Sequence, residues 1–70
     1  MNTICATVSG RIIQCSRGNG DQIQPGEEVL KIESMKMEIP VESDFAGRIA
    51  KLLVKEGDEV QEGQVLVELD

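Results

Sequence analysis

The apolar positions of this 70-residue chain fall in short runs separated by glycine-bearing turns, and the runs recur. Shifting the sequence over itself by 37 positions lays Gly10-Arg11-Ile12 on Gly47-Arg48-Ile49, Gly20-Asp21 on Gly57-Asp58, Gln24 on Gln61 and Gly26 on Gly63. The apolar pairs Val8/Phe45, Ile23/Val60, Val29/Leu66, Leu30/Val67 and Ile32/Leu69 coincide in the same frame, without a gap. A spacing shared to this extent marks an internal repeat. Two copies are too few for a solenoid. They predict a single domain over residues 1–70, with halves at about 3–33 and 40–70 related by a pseudo-two-fold axis.

Each half reads as strands. Val65, Val67 and Leu69 alternate with Leu66, Glu68 and Asp70, which predicts one buried and one exposed face; Leu30 and Ile32 form the buried face of the matching strand. Gly20-Asp21, Pro25-Gly26, Gly57-Asp58 and Glu62-Gly63 punctuate the runs as turns, with Asp21 and Asp58 bracing them. Ile49, Leu52 and Val54 depart from strict alternation and predict a bulge there, with a one-turn helical kink as the alternative; Ala46–Val54 is the best helical candidate, weakened by Gly47 at its start. No segment sustains a helical period. Each half alone would leave an apolar face wet, so the two must close on each other. The fold class is therefore all-β: about eight short strands in two facing four-stranded antiparallel sheets.

Composition narrows what such a domain does. Ile, Val and Leu dominate the apolar content and Phe45 is the single aromatic, so no platform exists for stacking bases. A formal net charge of -6 repels phosphate backbones and anionic membranes. No stretch is long enough to cross a bilayer, and no basic start followed by an apolar run opens the chain; the expectation is a cytoplasmic protein. Two cysteines without any histidine do not complete a zinc site, and Cys5 and Cys15 are read as small apolar residues in or near strands. The lack of histidine also removes the usual general base. No catalytic residue and no metal ligand is predicted. The remaining acidic residues are read as solvated faces.

One segment stands apart. Glu33-Ser34-Met35-Lys36-Met37-Glu38 lies where the two halves meet, between apolar strands at Val29–Glu33 and Ile39–Glu42. A symmetric fold turns this junction into an exposed hairpin tip, at the end opposite the termini. With neither Gly nor Asn in it, the turn is expected to be type I rather than a primed type. Lys36 would project into solvent on four methylenes. A solvated ammonium is a poor base and a poor Schiff-base nucleophile, but it suits a modifying enzyme that supplies its own activation. Amide formation there would take the net charge from -6 to -7. Met35 and Met37 flank it in a turn that should be polar. Methionines usually fill core gaps, and both cannot tuck inward on either side of a turn residue. They read as a recognition patch. Glu33 and Glu38, placed symmetrically about the tip, either orient a modifying enzyme or keep the tip soluble.

The run Glu33-Ser34-Met35-Lys36-Met37 closely resembles the Glu-Ala-Met-Lys-Met signature of biotinyl domains in biotin-dependent carboxylases and decarboxylases. Nearly the whole chain resembles the biotinyl/lipoyl family: Gly10, Gly20-Asp21, Ile23, Gly26 and Val29 match its spacing before the lysine, and Gly47, Gly57-Asp58, Val60, Gly63 and Leu66 after it. The resemblance implies a flattened barrel with the lysine on a hairpin turn, and biotin joined to Lys36 by an ATP-using biotin protein ligase. It implies a non-catalytic carrier that takes a carboxyl group from a biotin carboxylase to a carboxyltransferase or decarboxylase. Met35, Met37, Glu33, Ser34 and Glu38 would be read by the ligase or those partners. Ser34 stands in place of the usual Ala, a small-for-small change. Arg17 occupies the repeat position of Val54, so the first half is expected to pack less well there. The equal spacings Gly10–Gly20 and Gly47–Gly57 leave no room for the protruding thumb of some bacterial acetyl-CoA carboxylase carriers.

Other readings stay open. A lipoyl carrier of a 2-oxoacid dehydrogenase would share the fold and the lysine, although lipoyl domains usually place Asp before the lysine and a small residue after it; some small members accept both groups. An unmodified adaptor would keep the fold for protein contacts alone. An enzyme with its own active site lacks a nucleophile constellation here, and a phosphopantetheine site at Ser34 would need a helix start.

Overall fold

The computed structural model describes residues 2–70. Eight strands follow in order: β1 (Thr3–Cys5), β2 (Gly10–Cys15), β3 (Gln22–Ile23), β4 (Glu28–Ser34), β5 (Met37–Glu42), β6 (Gly47–Leu52), β7 (Glu59–Val60) and β8 (Val65–Leu69). The 37-residue offset carries β2 onto β6 and β3 onto β7 end to end. No helix occurs among the described residues, and the helical candidate Ala46–Val54 holds strand β6 over Gly47–Leu52.

The strands form two antiparallel four-stranded sheets, ordered β1-β8-β6-β3 and β5-β4-β2-β7. Each sheet takes its central pair from one half and both edges from the other. The seams repeat too. Gly20 N donates to Ile49 O and Gly57 N to Ile12 O, both at 2.8 Å; Gly26 N donates to Ser43 O and Gly63 N to Ala6 O, again at 2.8 Å. The turns are braced in matching fashion: Asp21 Oδ2 accepts from Gly18 N at 2.8 Å, and Asp58 Oδ2 from Lys55 N at 3.0 Å. Gly20 and Gly57 hold φ of 88° and 97°, a region open to glycine without a Cβ clash.

Between the sheets lies the core, in matched pairs: Ile4/Val41, Ile12/Ile49, Ile23/Val60, Val29/Leu66, Leu30/Val67 and Ile32/Leu69, all buried. Burying each such aliphatic side chain contributes about 1.5–3 kcal/mol. Strict alternation in β8, expected above, is not what the chain does. Leu66, Val67 and Leu69 are buried, while Val65 is exposed. The cause is a bulge: Ile4 opposes Val67 and Cys5 opposes Val65, leaving Leu66 as the extra residue. A bulge lets two consecutive side chains face the same way. Its mate is Val29 in β4, between the pairs Glu28/Glu42 and Leu30/Val41. A second matched pair of bulges falls at Ile13 in β2 and Ala50 in β6, the latter in the segment where a bulge was expected. Arg17 stays half-buried outside the core that Val54 joins, held by Glu27 at 3.1 Å and by the Ser16 carbonyl at 3.1 Å.

Symmetry fails at one tight spot. At Gly10 a Cβ would run into the Glu33 carbonyl oxygen and stand 2.8 Å from Ile32 Cγ2, whereas at Gly47 its nearest neighbour would be Asp70 O at 4.0 Å. Strand β2 therefore lies flush against the end of β4. Gly10→Ala is expected to destabilise the domain by about 1–3 kcal/mol, the usual range for overpacking, while Gly47→Ala should shift stability by less than ~1 kcal/mol. Urea titration of the two variants measures the difference; equal midpoints would contradict the close fit.

Candidate functional site

The β4–β5 hairpin carries the tip. Its ladder runs without interruption from Leu30/Val41 to Ser34/Met37, so both strands extend further than the sequence suggested and only Met35 and Lys36 remain to turn the chain. Both have positive φ, 52° and 62°. The type I turn expected from the missing Gly and Asn is thus not formed; positive φ at both central residues belongs to the primed type I′. Strand twist explains the outcome, because a two-residue connection between right-twisted strands fits a primed turn and an unprimed one would splay them. An L-residue in this left-handed region costs about 1–2 kcal/mol, and the ladder below the turn holds it there.

This backbone throws three side chains outward. Met35 is 92% exposed and Met37 65%, with Lys36 exposed between them. Neither methionine fills a core gap. Among the described residues Lys36 makes no ion pair. Ser34 is half-buried at the base of the turn, opposite Met37. Glu33 and Glu38 oppose each other one step lower. Each meets a cation that the sequence reading left out: Arg11 Nη2 lies 3.4 Å from Glu33 Oε1, and Lys31 Nζ lies 4.0 Å from Glu38 Oε1. The available signal was repetition, since Arg11 and Glu33 are the mates of Arg48 and Asp70, which pair at 2.6 Å.

Elsewhere the surface offers little chemistry. Among the described residues no group of three metal-ligating side chains converges. A groove of about 340 Å³ runs along Leu52–Lys55 and Asp58, after β6 rather than at the tip. The Cys15 thiol is pushed up from its ordinary value by burial, then by the Glu56 and Asp58 carboxylates.

These features have counterparts in known proteins. The family model described as "Biotin-requiring enzyme" matches residues 1–69. The biotin/lipoyl attachment protein of Bacillus subtilis (strain 168) is 45% identical over 67 residues, covering 96% of this chain and 92% of that protein. Among solved structures, Kluyveromyces lactis urea carboxylase superposes with a TM-score of 0.92 at 29% identity, over 99% of this chain but 6% of that one. The lipoyl domain of the 2-oxoglutarate dehydrogenase complex from Azotobacter vinelandii superposes at 0.74 with 27% identity, over 90% of this chain and 80% of that domain.

Two outcomes follow from the local chemistry. Met35→Gly should stabilise the fold by about 0.5–1 kcal/mol in urea titration, because glycine enters the left-handed region without the Cβ penalty and the exposed side chain loses no packing. A raised thiol value means that Cys15 contributes stability fully below the unfolded thiol's value, and loses it as pH rises through the folded one. Melting curves between pH 8 and 10.5 should therefore fall more steeply for the wild type than for Cys15→Ala.

Proposed function

The chain belongs to the biotin/lipoyl attachment family, as a biotinyl domain, and on that premise we propose that biotin is joined as an amide to Nζ of Lys36. A single observation carries this assignment: among the described residues Lys36 is an unpaired, solvated lysine between two exposed methionines, at the apex of a two-residue turn. A free amine on a flexible stem is what amide formation requires. When bound, the biotin ring supplies a nitrogen that accepts and releases a carboxyl group. The chain's own residues supply presentation. The β4–β5 ladder fixes the turn, Met35 and Met37 offer soft apolar contacts beside the amine, and no side chain of the tip encloses the lysine.

The same geometry supports a further role. A rigid sandwich carrying one projecting arm raises the local concentration of its cargo at each site it visits. We read the protein as the carboxyl carrier of a biotin-dependent carboxylase or decarboxylase, loaded by a biotin protein ligase and serving a biotin carboxylase and a carboxyltransferase. The likeness to a segment of urea carboxylase supports this reading. A lipoyl group would fit the same tip, but the lipoyl-domain likeness is the weaker of the two structural matches.

Incubation with biotin protein ligase, biotin and ATP should add one biotin to the intact mass, and peptide mapping should place it on Lys36. Loss of one positive charge should also retard the product on anion exchange. Lys36→Arg should abolish labelling while leaving the melting temperature within about 2 °C, because exposed sites change stability little. Labelling that survives this substitution would overturn the assignment, and a lipoyl increment with lipoate ligase in place of biotin would reassign the cargo.

A further inference from the structure

The tip carries a conflict within its own hairpin. Glu33 and Glu38 oppose each other directly, in the ladder step just below Ser34/Met37. Like charges so placed push the strands of an antiparallel pair apart. The turn above is closed by two non-glycine residues in the left-handed region, which also favours opening. Among the described residues nothing packs over this end to resist, since Met35 and Met37 are exposed.

Two cations answer the conflict from different sides. Arg11 sits opposite Glu33 on β2 and reaches its carboxylate at 3.4 Å. Lys31, lower on β4 and opposite Pro40, reaches diagonally to Glu38 at 4.0 Å. The repeat separates what belongs to the fold from what belongs to the tip. Arg11–Glu33 recurs as Arg48–Asp70 and is thus part of the general pattern. Lys31 does not recur: its mate is Glu68, of opposite sign. The cation on Glu38 is therefore an addition made where the chain must hold two carboxylates beneath a strained turn.

We propose that Lys31, together with Arg11, is a positioning residue for modification of Lys36: by neutralising Glu38 and Glu33 the two cations keep the hairpin base closed, and so keep the lysine in its left-handed turn for the ligase. The inference rests on Lys36 being the attachment site. Neither cation touches the reacting amine; each acts through a carboxylate.

The test is a set of charge-neutral variants, Lys31→Gln, Arg11→Gln and the double variant, each also made in a Glu38→Gln background. Attachment of biotin by biotin protein ligase gives kcat and KM, and hydrogen exchange gives the protection of the Met35–Met37 amides. Each single variant should lower kcat/KM by about two- to five-fold, the scale of one cross-strand charge pair, mostly through KM, with a matching loss of tip protection. The double variant should lose about ten-fold by the same scale. In the Glu38→Gln background Lys31→Gln should have no effect, a rescue that general weakening of the sheet would not give. Raising salt to about 0.5 M should narrow the gap to wild type, because both attraction and repulsion are screened. Unchanged kcat/KM and unchanged tip exchange in the double variant would overturn the proposal, as would an undiminished Lys31→Gln effect beside Gln at position 38. The wild type separates the two readings. If it is not labelled at Lys36, the site assignment fails and exchange alone judges the brace; if all variants label equally well, only the brace fails.

Discussion

Everything in this domain depends on the fact that neither half can satisfy its strands alone. The central strands of one half leave their outer hydrogen-bonding edges open, and the other half fills them. Gly20 and Gly57 bind backbone carbonyls across the seam in both directions, and the six aliphatic pairs of the core mesh only once both halves are present. Backbone groups left unpaired in so small a body would be costly, so the interlock makes the two sheets a single cooperative unit. With about 60% of its chain surface buried at this size, the domain has little stability to spare, and it spends none on a cleft. It is a stiff support for one exposed turn.

That turn is where the shared plan gives way. In one half β4 runs on through two residues into β5. At the matching pole the hairpin is replaced by the chain's own two ends, with β8 and β1 as antiparallel neighbours. The tip pole carries the features the other lacks: the left-handed Met35–Lys36 pair, the crowded Gly10 and the Lys31–Glu38 contact. The proposed attachment site lies among these departures, and the symmetric remainder makes them rigid.

Much of this was legible in the chain. The 37-residue repeat located strands, turns and the apex together, because matched glycines and apolar positions constrain one another more strongly than any single window does. Met35 and Met37 signalled exposure since both could not turn inward beside a turn residue. Three things were not legible. In β8 the apolar Val65, Val67 and Leu69 keep a period of two, which hides the bulge at Leu66, so Leu66 was assigned to the wrong face. Turn residues alone pointed to type I at the tip, and only the strand ends show that two residues remain and that twist overrides their preference. The partners of Glu33 and Glu38 come from register across three strands, which the sequence holds only implicitly.

The side-by-side placement of β1 and β8 has a mechanical consequence. Thr3 opposes Glu68, and Leu69 N bonds to Asn2 O at 2.9 Å, so the two chain ends leave the body at the same corner of one ladder. Tension applied across them would load these hydrogen bonds one after another, as in opening a zipper, rather than shearing several at once. Pulled this way, the domain would yield from its ends inward at low force. The hairpin that presents Lys36 belongs to the other sheet and would lie outside the first line of rupture.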